Sequence, residues 1–149
     1  NFQKVIELPE DVEARAAMQL GACLAGLAIE HSMLGAAHSA ANPLTARYGV
    51  IHGVAVGLLL PVVVRFNSVA CEDDYRELCG SSSAGGDSLA SRLEGFRSLS
   101  GLPERLSDCK VKKEDIPLMS LEAAGQWTAQ FNPREVTPGG FSEIYRAAY

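Results

Sequence analysis

An all-helical fold is the architecture that this sequence predicts, and three observations lead to it. The region up to about residue 41 is rich in Ala, Gly and larger apolar residues, a composition that suits a buried helix. Helix-start signals recur along the chain, at residues 8–11, 87–88 and 137–138. No internal repeat, βαβ unit or glycine-rich phosphate loop is present. The 149 residues suffice for one core, so we predict a single helical domain over residues 1–149.

The first long helix is predicted to begin at residues 8–11, where a proline and two acidic residues suit a first turn, and to run to about residue 41. Pro43 should end it, because proline lacks an N–H group and clashes with the preceding turn. Proline also disfavours the α conformation at Asn42, the residue before it. We therefore expect a bend at Pro43.

The second long helix is predicted over residues 52–66, with a kink at Pro61. Its β-branched residues also suit a strand, but its length favours a helix. A polar amphipathic piece at residues 72–78 and a flexible Gly/Ser loop at residues 80–86 should follow.

Three further helices are predicted in the second half. Asp87 or Ser88 should cap the first, which Gly101 can end. The next covers residues 114–129, and Thr137 with Pro138 should start the last. The residues expected to face inward are Leu89, Leu93, Phe96 and Leu99 in the first of these helices, and Leu118, Leu121, Ala124 and Trp127 in the second.

Composition and charge exclude several classes of protein. The net charge of −5 and the lack of a basic cluster beyond Lys110, Lys112 and Lys113 argue against nucleic-acid binding. The four cysteines are scattered without a CxxC pair, which predicts reduced thiols in a cytoplasmic protein. The apolar runs at residues 16–29 and 54–64 are shorter than the ~20 residues that cross a bilayer, so no membrane partner is expected.

His38 and His52 are the residues with the clearest chemical meaning. In one straight helix, fourteen positions would separate them by about 21 Å at 1.5 Å per residue, too far to share an ion. A bend between them allows His38 to close one helix and His52 to open the next, with both rings at a common centre. Imidazole suits Zn²⁺, Fe²⁺, Ni²⁺ or Cu²⁺, but a catalytic site needs at least three protein ligands. The pair therefore predicts half of a metal site. His31 lies two turns before His38 and is interpreted either as a structural residue or as one that contacts a metal ligand without binding the ion itself.

Residues 26–67, GLAIEHSMLGAAHSAANPLTARYGVIHGVAVGLLLPVVVRFN, resemble the signature region of the iron-containing alcohol dehydrogenase family. The shared features are the Gly-Leu-Ala opening, Leu-Gly-Ala-x-His, Pro-Leu, His-Gly and Leu-Pro…Arg-Phe-Asn. The likeness continues through residues 8–20, 101–106, 132–134 and 144–149, and so covers nearly the whole chain.

The resemblance implies a helical bundle like the C-terminal domain of iron-containing alcohol dehydrogenases and dehydroquinate synthase-like proteins. In that family a separate N-terminal α/β domain binds NAD or NADP, and His38 and His52 match two metal ligands. The other two ligands, an Asp and a His in an earlier helix, have no match here and are expected before Asn1. The ion is Fe²⁺ or Zn²⁺, and it polarises an alcohol oxygen so that hydride passes to the nicotinamide.

The resemblance thus predicts an enzyme that interconverts a small-molecule alcohol and its aldehyde, of which this chain is an inactive fragment. The chain begins with Asn, and its first ten residues look like the interior of a longer sequence. A severed domain would expose the apolar face that met its partner, so we also expect self-association as a homo-oligomer.

One departure from the family concerns Asn42, which stands where many members carry a third histidine near the nicotinamide. An amide does not titrate, so a proton shuttle at this position is ruled out. Asn42 can hydrogen-bond a substrate hydroxyl or the nicotinamide carboxamide, or it can cap the bend before Pro43. Two alternatives to the alcohol dehydrogenase stay open: a zinc enzyme of the glycerol dehydrogenase or dehydroquinate synthase branch, and a non-catalytic helical assembly module.

Overall fold

The computed structural model describes residues 1–80 and 84–149, and these residues form helices and turns without a β-strand. The α-helices of this described part are α1 (Phe2–Glu7), α2 (Val12–Ser32), α3 (Ala36–Tyr48), α4 (His52–Cys79), α5 (Gly86–Leu99), α6 (Ile116–Ala124) and α7 (Pro138–Ala147). Short 3₁₀ turns at Leu106–Cys109, Lys113–Asp115 and Trp127–Phe131 link the later helices. The all-helical prediction is confirmed. Part of the predicted loop at residues 80–86 lies outside the described residues.

The core lies where α3, α4, α6 and α7 meet, while α5 packs along α4. The Tyr145 hydroxyl of α7 donates a hydrogen bond of 2.6 Å to the buried carbonyl of Ala40 in α3. Burial raises the pKa of Tyr145, so its hydroxyl keeps its proton and remains a donor. The largest fully buried side chains are Tyr145, Phe141, Leu44, Leu58, Leu59, Leu106, Ile116, Met119 and Ile144.

The predicted helix from residues 8–11 to residue 41 is in fact two helices. Asp11 caps α2 by accepting a 2.8 Å hydrogen bond from the N–H of Ala14. The helix therefore begins at Val12, directly after the predicted start at residues 8–11, whose proline and acidic residues precede the first turn. The chain leaves the helical conformation at Met33, whose φ is +68°, and resumes it at Ala36. The boundary therefore falls before His38, where no proline or run of polar residues marks it.

The bend predicted at Pro43 is absent, because Pro43 and Asn42 both lie inside α3. A proline within a helix costs about 3 kcal/mol. The residues around Pro43, including Leu44, are buried against other helices, and burying one leucine is worth about 2 kcal/mol, so packing opposes this cost. The chain turns instead at residues 49–51, after Gly49 adopts the left-handed conformation (φ +65°) that caps α3.

The second predicted helix, at residues 52–66, is longer than expected. α4 runs through Pro61, and the predicted polar piece at residues 72–78 follows as its last part, set off from the rest by a kink. The helical dihedral angles are interrupted at Cys71 (φ −128°, ψ 19°), ten residues after Pro61, and the kink at Pro61 stays a prediction. Gly80 then ends the helix with a left-handed φ of +67°.

α5 begins at Gly86, ahead of both predicted caps, so Asp87 and Ser88 lie inside the helix. A carboxylate from a neighbouring helix replaces them, because Glu72 Oε2 of α4 accepts a 3.1 Å hydrogen bond from the Gly86 N–H. A Cβ atom at Gly85 would lie 1.9 Å from Glu72 Oε1, so any larger residue there would displace the Glu72 carboxylate. The cap could not be found from local sequence, since its two partners are fourteen positions apart.

The inward face predicted for α6 is wrong at three of its four positions, whereas Ala124 is half-buried and packs against the core. Leu118, Leu121 and Trp127 are exposed, and α6 ends at Ala124, short of the predicted residue 129. The buried set has the i, i+3, i+4, i+7 spacing of one helix face: Ile116, Met119, Ser120 and Ala123. In contrast, the start of α7 is confirmed, since the Thr137 hydroxyl accepts from the Gly140 N–H and Pro138 follows as the first helical residue.

α2 is apolar but almost wholly exposed to solvent. Ala14 is the one residue of this fully described helix that is buried. Leu20, Leu24 and Leu27, which follow the i, i+4, i+7 spacing of one face, are each exposed by half or more. Such a surface is unusual, since contiguous apolar patches commonly mark sites of interaction.

The helices that contain the two apolar runs are longer than the runs themselves. α2 has 21 residues and α4 has 28, and by length and composition each could cross a membrane. α4 is a core helix, with 44% of its most apolar window buried against its neighbours, which accounts for its hydropathy without a bilayer. The absence of a membrane partner stays a prediction.

An ion pair between α4 and α5 should contribute to stability in a pH-dependent way. Arg65 Nη1 and Nη2 lie 2.5 and 3.1 Å from the two carboxylate oxygens of Glu94. Hydrogen bonding to the Arg65 guanidinium lowers the pKa of Glu94 below its usual 4.5. Because the pKa is lowered in the folded state, this stabilisation is present above about pH 4.5 and is lost as the pH falls through the lowered pKa.

Acidification should destabilise Glu94→Gln less than the unmodified chain, because the variant has no carboxylate to protonate at this position. The difference should be less than about 1 kcal/mol, since both side chains of the pair are about one-third exposed and solvent screens their attraction. Urea unfolding at several values between about pH 3 and pH 7 measures this slope. Glu143→Gln, at an exposed position of α7, is the matched control. Identical slopes for Glu94→Gln and the unmodified chain would show that the pair contributes nothing.

Candidate metal centre

The two candidate ligands lie at the starts of consecutive helices. His38 is the third residue of α3, and His52 is the first residue of α4. The prediction that His52 opens a helix is confirmed, whereas the prediction that His38 closes one is wrong. The chain reverses at residues 49–51 and not at Pro43, and this turn allows α3 and α4 to pack against each other.

The two imidazole rings are close enough to share one ion. Their centroids are 5.4 Å apart, with 47° between the ring planes. For metal–nitrogen bonds of about 2.1 Å and a tetrahedral angle, with each centroid about 1.1 Å behind its nitrogen, the expected centroid separation is about 5.2 Å. Ordinary aromatic packing covers the same distance, so the separation fits a shared ion without requiring one.

The protonation state of His38 also suits a ligand. Partial burial lowers the pKa of His38, and the neighbouring His52 lowers it further. The ring is therefore neutral at neutral pH, and neutral imidazole is the form that coordinates metal ions. His52 is exposed, so one side of the pair is open to solvent.

The described residues bring together two candidate ligands, and no third His, Cys, Asp or Glu joins them. No cluster of three or more His, Cys, Asp or Glu side chains with metal-binding geometry occurs within residues 1–80 and 84–149. A catalytic zinc or iron centre commonly has at least three protein ligands, so the residues present fit half of such a centre. His31 lies at the exposed C-terminal end of α2.

Asn42 lies one helical turn after His38 on the same helix, where residues four apart share a face. Its side-chain Nδ2 donates a 3.0 Å hydrogen bond to Gln126 Oε1, in the segment between α6 and the 3₁₀ turn at Trp127–Phe131. Since α3 continues through Pro43, Asn42 does not cap a bend there. Its role toward a substrate stays a prediction.

The structure also shows polar residues near His38 that sequence patterns did not assign to the site. The amides of Asn67 in α4 and Asn132 in the loop before α7 pair with each other, and Asn132 also bonds the first residue of α3. These partners are 65 and 96 positions apart in the sequence. The Asn-Pro-Arg segment at residues 132–134 was the available signal, but alone it indicated only a break between helices.

The structure thus combines an all-helical fold with two imidazoles that lie close together at the starts of consecutive helices. Over residues 1–149, the sequence matches the family described as Fe-containing alcohol dehydrogenase family, C-terminal. The chain belongs to this family, and it corresponds to the helical C-terminal part of such proteins.

Individual relatives agree with this assignment. The chain is 31% identical to 1,3-propanediol dehydrogenase of Klebsiella pneumoniae, with 100% of this chain and 41% of the relative covered. It is 32% identical to lactaldehyde reductase of Escherichia coli (strain K12), with 93% and 39% covered. A crystal structure of a 1,3-propanediol oxidoreductase superposes with a TM-score of 0.91 at 29% identity, over 99% of this chain and 41% of that one. The chain thus spans about two-fifths of the length of these relatives.

Proposed function

We propose that this chain is the metal-holding helical part of an NAD- or NADP-dependent oxidoreductase that interconverts a primary alcohol and its aldehyde. The observation that carries the proposal is the pair of imidazoles 5.4 Å apart, on a chain that belongs throughout to the Fe-containing alcohol dehydrogenase family. The names of its relatives, a propanediol dehydrogenase and a lactaldehyde reductase, support a small alcohol or aldehyde as substrate.

His38 and His52 would hold a divalent ion, Fe²⁺ or Zn²⁺, each through one ring nitrogen. When bound, such an ion acts as a Lewis acid toward the alcohol oxygen. The neutral state of His38 leaves its nitrogen lone pair free for coordination. His52 is exposed, so a substrate could approach the pair from that side. The remaining ligands and the nucleotide site would come from sequence outside these 149 residues, so the chain alone should be inactive.

Asn42 would contribute hydrogen bonds and no proton transfer. Its amide does not titrate, so it can orient a hydroxyl or carboxamide group but cannot carry a proton between substrate and solvent. Its contact with Gln126 holds the amide in one orientation beside α3.

The experiment that tests the function replaces His38 and His52 in the full polypeptide encoded by the native gene. Its readouts are bound metal and alcohol-dependent reduction of NAD⁺ or NADP⁺. We further propose a cytoplasmic location, which the four free cysteines support.

We also propose that the chain self-associates through α2. The exposed leucines at positions 20, 24 and 27 form an apolar stripe, and burying one such side chain is worth about 1.5–3 kcal/mol. Sedimentation velocity of the 149-residue chain at rising concentration should show dimers or larger species. Replacing Leu20, Leu24 and Leu27 with Ser should shift the population to monomer.

The matched control replaces Val69 and Leu78 with Ser, since these apolar residues are also exposed but lie in the C-terminal half of α4. A chain that stays monomeric at every concentration, or a control that dissociates as readily as the α2 variant, would contradict the proposal.

A further inference from the structure

The position of His38 depends on how the first turn of α3 is held. α2 and α7 each carry a capping side chain at the start, Asp11 and Thr137. The corresponding residue before α3 is Gly35, which has no side chain with which to cap the free N–H groups of the first turn. A residue distant in sequence must supply that hydrogen bond, and His38 lies only three positions after Gly35.

Asn132 supplies it. Its Oδ1 accepts a 3.1 Å hydrogen bond from the Ala36 N–H, the first residue of α3. The same amide pairs in both directions with Asn67 of α4, through contacts of 2.8 and 3.1 Å, and its Nδ2 donates to the Arg134 carbonyl at 2.6 Å. Every polar atom of the Asn132 side chain is therefore engaged, and the residue joins the two helices that carry the histidines.

Arg134 and Thr128, which are close to Asn132 in the sequence, make further contacts with α4 and α3. The Arg134 guanidinium stacks 3.8 Å above the Phe66 ring of α4 and donates a 2.7 Å hydrogen bond to the Phe66 carbonyl. On the other side, the buried hydroxyls of Thr128 and Ser39 are 2.7 Å apart, and Ser39 directly follows His38 in α3. We call Thr128, Asn132 and Arg134 the Asn132 clasp.

We propose that Asn132 is a positioning residue that holds the start of α3 against α4, so that His38 lies within chelating distance of His52. This inference rests on the proposed function, since it concerns the shared ion site. Asn132 contacts the backbone at Ala36, two residues from His38, and the clasp also fixes Ser39 on the other side. Removing the Asn132 amide frees the first turn of α3 to shift, while most of the core stays buried.

The test uses Cu²⁺–iminodiacetate as a probe for the histidine pair. Iminodiacetate occupies three copper positions, so two imidazoles can complete the sphere without the ligands missing from this chain. Calorimetry gives the affinity of the 149-residue protein for the probe, and electron paramagnetic resonance counts the coordinated imidazole nitrogens. We expect two imidazoles in the unmodified protein and one in His38→Ala or His52→Ala.

In Asn132→Ala we expect roughly tenfold weaker binding and a mixture of one- and two-imidazole spectra, by analogy with the loss of other groups that orient metal ligands. Gly35→Ala provides a second variant, which keeps every hydrogen-bonding group. Its Cβ would lie 3.0 Å from Asn132 Oδ1, a tight contact that pushes the amide away from the start of α3 by a few tenths of an ångström. If Asn132→Ala does not fold, the positioning role of Asn132 is judged from probe binding by Gly35→Ala, which should also be weaker than in the unmodified protein.

The matched control is Ser120→Ala, which removes a buried hydroxyl whose hydrogen bond to the Ile116 carbonyl lies within α6. Circular dichroism confirms that each variant is folded. A folded Asn132→Ala that binds the probe like the unmodified protein would overturn the positioning role alone, as would an equal loss in Ser120→Ala. An unmodified protein that binds no tighter than His38→Ala would overturn the shared site, and the positioning role with it.

Discussion

Replacing either His38 or His52 with Ala in the full polypeptide of the native gene should remove its bound divalent metal and abolish alcohol-dependent reduction of NAD⁺ or NADP⁺. Each imidazole would supply one direct bond to the ion, and the rings are placed at the separation that a shared ion requires. Loss of a direct ligand should cost more than the roughly 10- to 100-fold in affinity that follows from losing an outer partner. Metal analysis of the purified protein and a nicotinamide absorbance assay measure the two effects.

His31→Ala is the matched control for this experiment. His31 is exposed at the C-terminal end of α2 and is separated from His38 by the break at residues 33–35. We expect His31→Ala to keep its metal and most of its turnover. Unchanged metal content in His38→Ala and His52→Ala would refute the assignment of these residues as ligands.

Phe141→Ala should be among the most destabilising single substitutions in the chain. The Phe141 ring of α7 is fully buried in the core cluster that α7 shares with α3, α4 and α6. Truncating a buried phenylalanine leaves a cavity and costs about 3–5 kcal/mol. Because domains of this size are stable by about 5–15 kcal/mol, this loss is a large fraction of the total. Urea unfolding followed by circular dichroism measures it.

Phe131→Ala makes the same chemical change at a different level of burial. Phe131 is 44% exposed and meets Trp127 edge to face, with ring centroids 5.7 Å apart. We expect this variant to lose only about 1 kcal/mol. Equal losses for the two phenylalanines would contradict the placement of Phe141 in the core.

Much of the helical architecture was predictable where the determining contacts are local. Asp11 and Thr137 cap α2 and α7 through N–H groups three positions away. The Thr137 cap was predicted from sequence, and the start of α2 was predicted to within a few residues. The start of α5 was not found, because Glu72 of α4 supplies its cap. The uninterrupted passage of α3 through Pro43 also had no local signal, since burial against other helices opposes the cost of that proline.

In the candidate site, too, the features set by nearby residues were predictable and those set by distant residues were not. The histidine pair was predicted from residue type, spacing and the need for a bend, although the turn lies at residues 49–51 and not at Pro43. The role of Asn132 depends on partners 65 and 96 positions away. No spacing rule links such partners, so only the folded structure could bring them together.

The central claim is that His38 and His52 bind one ion. Crystals of the full polypeptide, measured at the absorption edge of the metal that it contains, test this claim most directly. We predict one anomalous peak within about 2.0–2.2 Å of a nitrogen on each ring. A peak bound to one ring alone, or a metal-containing protein with no peak between the two rings, would contradict the account.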